Sequence, residues 1–219
     1  MILCVLRSGG IYTQEWVRKL HDATKRQTTK PHRFVCLTDL ELPFETVKLK
    51  HNWPGWWSKI EIYRPGVITE PCLYLDLDTI VVGNIDHLLD LDYDFAMLQN
   101  FHASHMVNSS VVWFKDERSV PTQVYQKFSR MPECYIEHHQ RVQKGAYLGD
   151  QAFVWDALDG EIPRLSGLGI FSYKYHCRSH LPPDARIVCF HGPPRPSEVK
   201  TEWLDKHWVS RGQCCLYDN

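Results

Sequence analysis

The sequence contains no apolar run of about 18 residues, and its first residues, Met-Ile-Leu-Cys-Val-Leu-Arg, set no basic stretch ahead of the apolar one. Neither a membrane segment nor a secretory leader is expected, and the chain reads as soluble. An excess of either charge is missing too, with Lys+Arg 25 against Asp+Glu 26 and a formal net charge of -1. No global field would draw it to nucleic acid or to an anionic membrane. Its 8 cysteines include no C-x-x-C pair and no finger-like Cys/His spacing, and adjacent Cys214 and Cys215 suit neither zinc nor a mutual disulfide. His138-His139, and His176-Cys177 with His180, lack further ligands at suitable spacing. Cys4, Cys36, Cys72 and Cys189 lie inside short apolar runs and read as small buried hydrophobes, so a reducing cytoplasm is the expected compartment.

Internal repeats, low-complexity tracts and linkers are also lacking, and 219 residues with 43% hydrophobic content suffice for a full core. One domain over residues 1–219 is expected. An apolar run at 2–6 breaks at Ser8-Gly9-Gly10 and is followed by a helical pattern carrying Trp16, Leu20 and Ala23 on one face. Further apolar runs at 34–37 and 72–75 predict strands, the second running directly into Asp76, and 46–49 is expected as another strand between them. Runs at 95–98 and 111–114 predict two more, with polar Asn108-Ser109-Ser110 as a break between them. Helices are predicted over 120–131 and 150–158. Beyond Glu161 the pattern loosens into glycine, proline and aromatic residues, with one strand at 187–190. Strands alternating with helices imply an α/β fold with a central mixed, mostly parallel sheet, whose ligands bind beyond the carboxyl ends of the strands. Ser8-Gly9-Gly10 and Asp76-Leu77-Asp78 both fall at such ends, which makes Arg7 and Gly9 candidates for substrate contact.

The strongest chemical signal is the pair Asp76 and Asp78 within Leu73-Tyr74-Leu75-Asp76-Leu77-Asp78-Thr79-Ile80-Val81-Val82. Burying two carboxylates in so apolar a frame is costly without compensation. Two residues apart on an extended chain they would share a face, and a hard divalent cation is the natural partner. The bland alternative makes Asp76 a turn cap and Asp78 half of a surface ion pair. Asp-Leu-Asp-Thr after a strand also resembles the nucleophile motif of haloacid-dehalogenase-like phosphatases. That motif belongs on the first strand, whereas about 70 residues precede it here, and no Asp-Asp pair follows downstream.

Two other segments add to the pair. His191-Gly192-Pro193-Pro194-Arg195-Pro196 sends an imidazole, a permissive glycine and a guanidinium out of one strand, a set that suits a metal-bound diphosphate or, alone, an ordinary proline-rich turn. Gly149-Asp150-Gln151 opens a helix, with Asp150 either a functional carboxylate or a simple N-cap. Trp53, Trp56 and Trp57 surround Pro54-Gly55; core packing is their commoner fate, and stacking on a sugar or base is the alternative. Lys59 reads equally as a solvated surface charge.

In this order the segments resemble the GT-A glycosyltransferases, in particular the retaining family-8 type that includes glycogenin-like and bacterial galactosyltransferase-like enzymes. The resemblance runs through the first strand and its glycine turn, Trp56-Trp57-Ser58-Lys59, Asp76-Leu77-Asp78, Asn108-Ser109, Gly149-Asp150-Gln151 and His191-Gly192. It implies a single GT-A-like (Rossmann-like) domain that moves a sugar from a nucleotide diphosphate sugar, a UDP-sugar, to an acceptor hydroxyl with retention. Asp76, Asp78 and His191 would hold Mn2+ or Mg2+. Gly192 and Arg195 would form the donor-phosphate loop, where many members carry lysine, and the change keeps the charge but replaces a point by a fork. Lys59 would be the basic residue ahead of the Asp-X-Asp strand, Asn108 a substrate contact, and Asp150 and Gln151 the catalytic pair beside the donor sugar. A glycan, a lipid-linked sugar, a protein side chain and a modified DNA base all stay open as acceptors. A non-catalytic binder of sugar nucleotides is the remaining rival.

Overall fold

The structure, a computed structural model, describes residues 1–141 and 149–210. In chain order it contains β1 (Ile2–Leu6), α1 (Gln14–Arg26), β2 (Phe34–Thr38), β3 (Glu45–Lys48), a 3-10 segment (Gly55–Tyr63), β4 (Cys72–Leu75), β5 (Thr79–Val81), β6 (Phe95–Gln99), β7 (Val107–Phe114), α2 (Gln123–Arg130), α3 (Pro132–Arg141), α4 (Gly149–Ala157), β8 (Arg164–Leu165), β9 (Ile170–Ser172), a π turn (Tyr173–Cys177), β10 (Ile187–Cys189) and α5 (Glu202–His207).

Seven strands form one sheet in the order β3-β2-β1-β4-β7-β6-β8. Only β7 opposes its neighbours; every other pairing in the sheet is parallel. The mixed, mostly parallel α/β sheet expected from the sequence is therefore the fold of the chain. Central strands are apolar throughout because both faces are covered. On β1, Leu3 and Val5 enter the core beneath the 3-10 segment, α2 and α4, while Ile2, Cys4 and Leu6 enter the core beneath α1. In α1, Trp16, Val17, Leu20 and Ala23 form the buried stripe, and Glu15 in the first turn with Lys25 and Arg26 in the last complement the helix dipole. The four cysteines read as buried hydrophobes are fully buried; Cys214 and Cys215 lie outside the described residues.

Asn108-Ser109-Ser110 is not the expected break but the interior of β7, buried along all eight residues. The polar stretch stays in the strand because β4 pairs with it: Leu75 opposes Val111 and Asp76 N donates to Ser110 O at 2.9 Å. On its other side the β6 register shifts between Met97 and Leu98, so this neighbour skips part of the same stretch. The region after Glu161 is also more ordered than its composition predicts. Its strands β8, β9 and β10 have two to three residues each, too short to show an alternation.

The second sheet has the order β5-β10-β9. It packs Ile80, Val82, Val188 and Phe190 against Tyr173, Cys177 and Leu204 in a small core of its own. Because β10 runs antiparallel to β5, with Cys189 opposite Thr79, the residues that leave β10 arrive beside the residues that enter β5. Phe190 N bonds Asp78 O at 3.1 Å, continuing that register.

Phe128 of α2 holds the larger core together, with ring centroids 4.8 Å from Trp53, 5.1 Å from Trp57, 5.1 Å from Phe153 and 5.9 Å from Tyr135. Phe128→Ala is expected to lower stability by about 3–5 kcal/mol in urea unfolding, the range for a buried ring whose cavity cannot collapse. A loss under about 1 kcal/mol would show that the surrounding rings close over the gap.

Candidate functional site

Asp76 directly follows β4, and Thr79 then folds back on it, its N and Oγ1 donating to Asp76 O at 3.1 and 2.6 Å. The Asp76-Leu77-Asp78 stretch is thus a tight turn, not the extended segment expected from its spacing. The short return into β5 enforces this, with Leu77 buried beneath the turn.

The two acids have separate partners. Asp76 Oδ1 accepts from Tyr74 OH at 2.6 Å and lies 2.9 Å from Lys59 Nζ, which is 3.2 Å from Oδ2. Lys59 is not the solvated surface charge its sequence allowed: the 3-10 segment buries it, and its ammonium reaches Asp150 Oδ2 at 3.1 Å and Ser109 Oγ at 2.8 Å. Burial works against the Lys59 charge, but Asp150 and then Asp76 outweigh it and hold the ammonium above the ordinary lysine range. Asp150 sits in the first turn of α4 with its carboxylate on Lys59, a use that simple capping does not explain. Gln151 is next on the helix and half-buried.

Asp78 Oδ2 accepts from Tyr12 OH at 2.7 Å and from Arg195 at 2.8 Å. Burial, then repulsion from Asp76, pushes its carboxyl up to about 7, although Tyr12, Arg195 and Lys59 pull the other way. Arg195 also donates to Tyr12 OH. His191 Nε2 is 2.6 Å from Ser172 Oγ, and its ring stacks on Phe101 at 5.3 Å. Burial, with Lys174 and His176 nearby, pushes it down to about 4, so the imidazole is neutral at ordinary pH. Gly192 has φ 82°, the left-handed region that favours glycine.

Two carboxylates on one turn that repel each other, with a neutral imidazole on the adjoining strand end, have the donor chemistry a hard divalent cation takes. Among the described residues, however, no three His, Cys, Asp or Glu side chains already form a cation site. Each of the three has other partners: Lys59 and Tyr74 engage Asp76, Tyr12 and Arg195 engage Asp78, and Ser172 engages His191.

The other predicted contacts are dispersed. Arg7 pairs with Asp39 Oδ2 at 2.8 Å and donates to Asn52, at the carboxyl ends of β1 and β2. Gly9 has φ 74° and open space where a Cβ would stand, so its backbone and not a close approach calls for glycine. Asn108 is buried, its Oδ1 accepting from Ser110 N at 2.8 Å, which braces β7 beneath Lys59's partner Ser109. Of the tryptophans, Trp53 and Trp57 are core residues and Trp56 is exposed.

Sequence reasoning missed Tyr12, Tyr74 and Lys174, and named Ser109 only beside Asn108, without a role. Lys174 donates to His191 O at 2.7 Å from the π turn. Burial, then Arg178 and Arg195, lowers its pKa, which places it in a cationic cluster. Tyr74, two residues before Asp76 on a strand, was in principle legible from the alternation; nothing local marks Lys174.

Lys59→Met would leave Asp150 and Asp76 without their shared cation, and a loss of about 3–5 kcal/mol in denaturant unfolding is expected, as for a broken buried pair. Adding Asp150→Asn should recover part of it. A single variant as stable as the parent would show that the lysine compensates neither acid.

No protein-family model matches the chain, and no curated protein sequence does. Solved structures do. Glycosyltransferase GlyE of Streptococcus pneumoniae TIGR4 superposes with a TM-score of 0.65 at 17% identity, over 96% of this chain and 58% of that one. Its apo form gives 0.64 at 17%, over 97% and 65%. Galactosyltransferase LgtC, in complex with donor and acceptor sugar analogs, gives 0.60 at 13% identity, over 89% of this chain and 88% of that one. The chain thus spans under two thirds of the GlyE chains but most of LgtC. At these identities the likeness establishes the fold, and the fold is the GT-A-like one that the ordered motifs resemble.

Proposed function

We propose that the chain is a metal-dependent glycosyltransferase that moves a sugar from a nucleotide diphosphate sugar, a UDP-sugar, to an acceptor hydroxyl with retention. The observation that carries the reading is the buried bridge from Asp76 through Lys59 to Asp150, which unites the end of β4 with the start of α4 at the carboxyl edge of the sheet. The likeness to LgtC, a structure holding donor and acceptor sugar analogs, supports the same pair of ligands here.

In this reading the nucleoside lies toward Arg7 and Gly9, and the diphosphate meets Arg195, Gly192 and Lys174. Asp76, Asp78 and His191 would hold manganese or magnesium, which when bound offsets negative charge on the diphosphate. Arg195 then has a second acceptor to serve besides Asp78, and its fork can grip two phosphate oxygens. Asp150 and Gln151 flank the donor sugar. In the transfer the bond from the anomeric carbon to the β-phosphate oxygen breaks and a bond to the acceptor oxygen forms on the same face. The acceptor's hydroxyl proton passes to the departing diphosphate oxygen. Lys59 holds Asp150 in place, so that its carboxylate can meet the positive charge that develops on the sugar.

Release of UDP from UDP-hexoses in the presence of manganese tests this. Hydrolysis is expected in the parent, lost with chelator and restored by manganese or magnesium. Asp76→Asn and Asp78→Asn should each lower it about a hundredfold or more, and His191→Ala should weaken the metal's enhancement of UDP binding. Donor binding with no turnover would make the chain a binding protein, and turnover of an aryl phosphate alone would make it a phosphatase.

Asp150→Asn should lower turnover about a hundredfold with the melting temperature near the parent's, because its interaction matters most in the transition state. Gln151→Glu should alter donor affinity or rate. Lys174→Ala should raise the donor KM about tenfold with a smaller change in kcat. Unchanged kinetics in all three would remove α4 and the π turn from the site.

A further inference from the structure

We infer that the exposed indole of Trp56 is the platform of an acceptor-sugar subsite, on which a neutral pyranose ring stacks beside Asp150. The inference rests on the transferase reading above.

Three tryptophans leave one short loop, and only this one is available. Trp53 stacks on His51 at 4.1 Å and 3°, and Trp57 on Phe128 at 5.1 Å and 20°, both buried. Trp56 is 55% exposed, an unusual position for so large an apolar ring. Its loop is nonetheless anchored on both sides. Lys50 N and His51 N each donate to the buried Glu61 carboxylate at 2.8 Å, and Asn52 accepts from Arg7. Downstream, Trp57 N bonds Pro54 O at 3.1 Å and Ser58 Oγ bonds Gly55 O at 2.8 Å, with Gly55 at φ 54°.

The indole itself lies against α4. A Cβ at Gly149 would stand 3.0 Å from Trp56 Nε1, so the ring fills the space where any other residue would carry a side chain. Gly149 immediately precedes Asp150, whose carboxylate is 3.1 Å from Lys59. The exposed ring therefore lies against the start of α4, the helix turn that carries the carboxylate assigned to the donor sugar. A held, half-wet indole suits a pyranose, which offers an apolar C–H face to the ring and hydroxyls to the water around it. In the reading above the nucleoside lies toward Arg7 and Gly9, and Arg7 bonds Asn52 at the start of this loop, so the donor's base is assigned there and the indole is left for another ring.

The test uses the intact chain with methyl β-galactopyranoside, methyl β-glucopyranoside and methyl N-acetyl-β-glucosaminide as probes, read by saturation-transfer NMR without donor. Expected is transfer to the ring protons of one face of at least one probe, with affinity lowered about tenfold in Trp56→Ala and within about threefold of the parent in Trp56→Phe. No saturation of any probe by the parent, or equal binding by Trp56→Ala, overturns the subsite. Melting temperatures of both variants near the parent's show that the fold is kept. UDP-hexose hydrolysis is measured separately. Trp56-dependent sugar binding in a chain that hydrolyses no nucleotide sugar would sink the transferase reading and keep the subsite, whereas hydrolysis with Trp56-independent sugar binding would do the reverse.

Discussion

A lysine ammonium taken out of water must be met by opposite charge at close range, and Lys59 is met on three sides. Asp76 comes from the end of β4, Ser109 from the middle of β7 and Asp150 from the first turn of α4. Each of these groups would itself be costly to bury alone, so the four stabilise one another or none of them does. The consequence is geometric as well as energetic. Because one nitrogen touches all three, their separations are set by hydrogen-bond lengths, and the strand end, the polar interior of β7 and the helix start hold a common position. A site built on such a knot presents its carboxylates without having to order them when a ligand binds.

The second wall of the crevice depends on the small sheet. Thr79–Val81 and Ile187–Cys189 pair antiparallel, which carries His191, Gly192 and Arg195 to the turn at Asp76–Asp78. Arg195 and Tyr12 then close on Asp78. Asp78 is bonded by Tyr12 and Arg195 whereas Asp76 is bonded by Tyr74 and Lys59, so the two acids of the turn have different direct partners while repelling each other. Burial, with that repulsion added, pushes the Asp78 carboxyl up to about 7.

Elements whose faces are both covered were legible, since unbroken apolar runs such as Ile2–Leu6 and Cys72–Leu75 have few other uses. The amphipathic stripe of α1 was legible for the same reason. The acids at 76 and 78 stood out by contrast with their frame, but their backbone did not: a turn and an extended strand have the same sequence spacing, and only the return into β5 distinguishes them. Asn108-Ser109-Ser110 misled because polarity usually marks a loop, whereas here it supplies ligands for a buried lysine and backbone for β4. Lys59 and Asp150 were visible as residues and as matches to a family pattern. Their direct pairing was not, because 91 positions separate them (150 − 59) and nothing local couples them. Lys174 was invisible for a further reason: it lies on a π turn between strands too short to show a period.

The ends of the main sheet have a meaning beyond the site. A strand at an open edge exposes unpaired amide and carbonyl groups to any other extended chain. At one edge, β3 reads Glu-Thr-Val-Lys and is largely solvent-facing, with Glu45 clasped by Arg33, which also holds Glu70 at 2.7 Å. At the other, β8 is two residues long and begins with an exposed arginine. One border is fenced by charge and the other is too short to template a neighbour. Charge at one border and shortness at the other are features that disfavour edge-to-edge pairing of a sheet whose interior strands are among the most apolar segments of the chain.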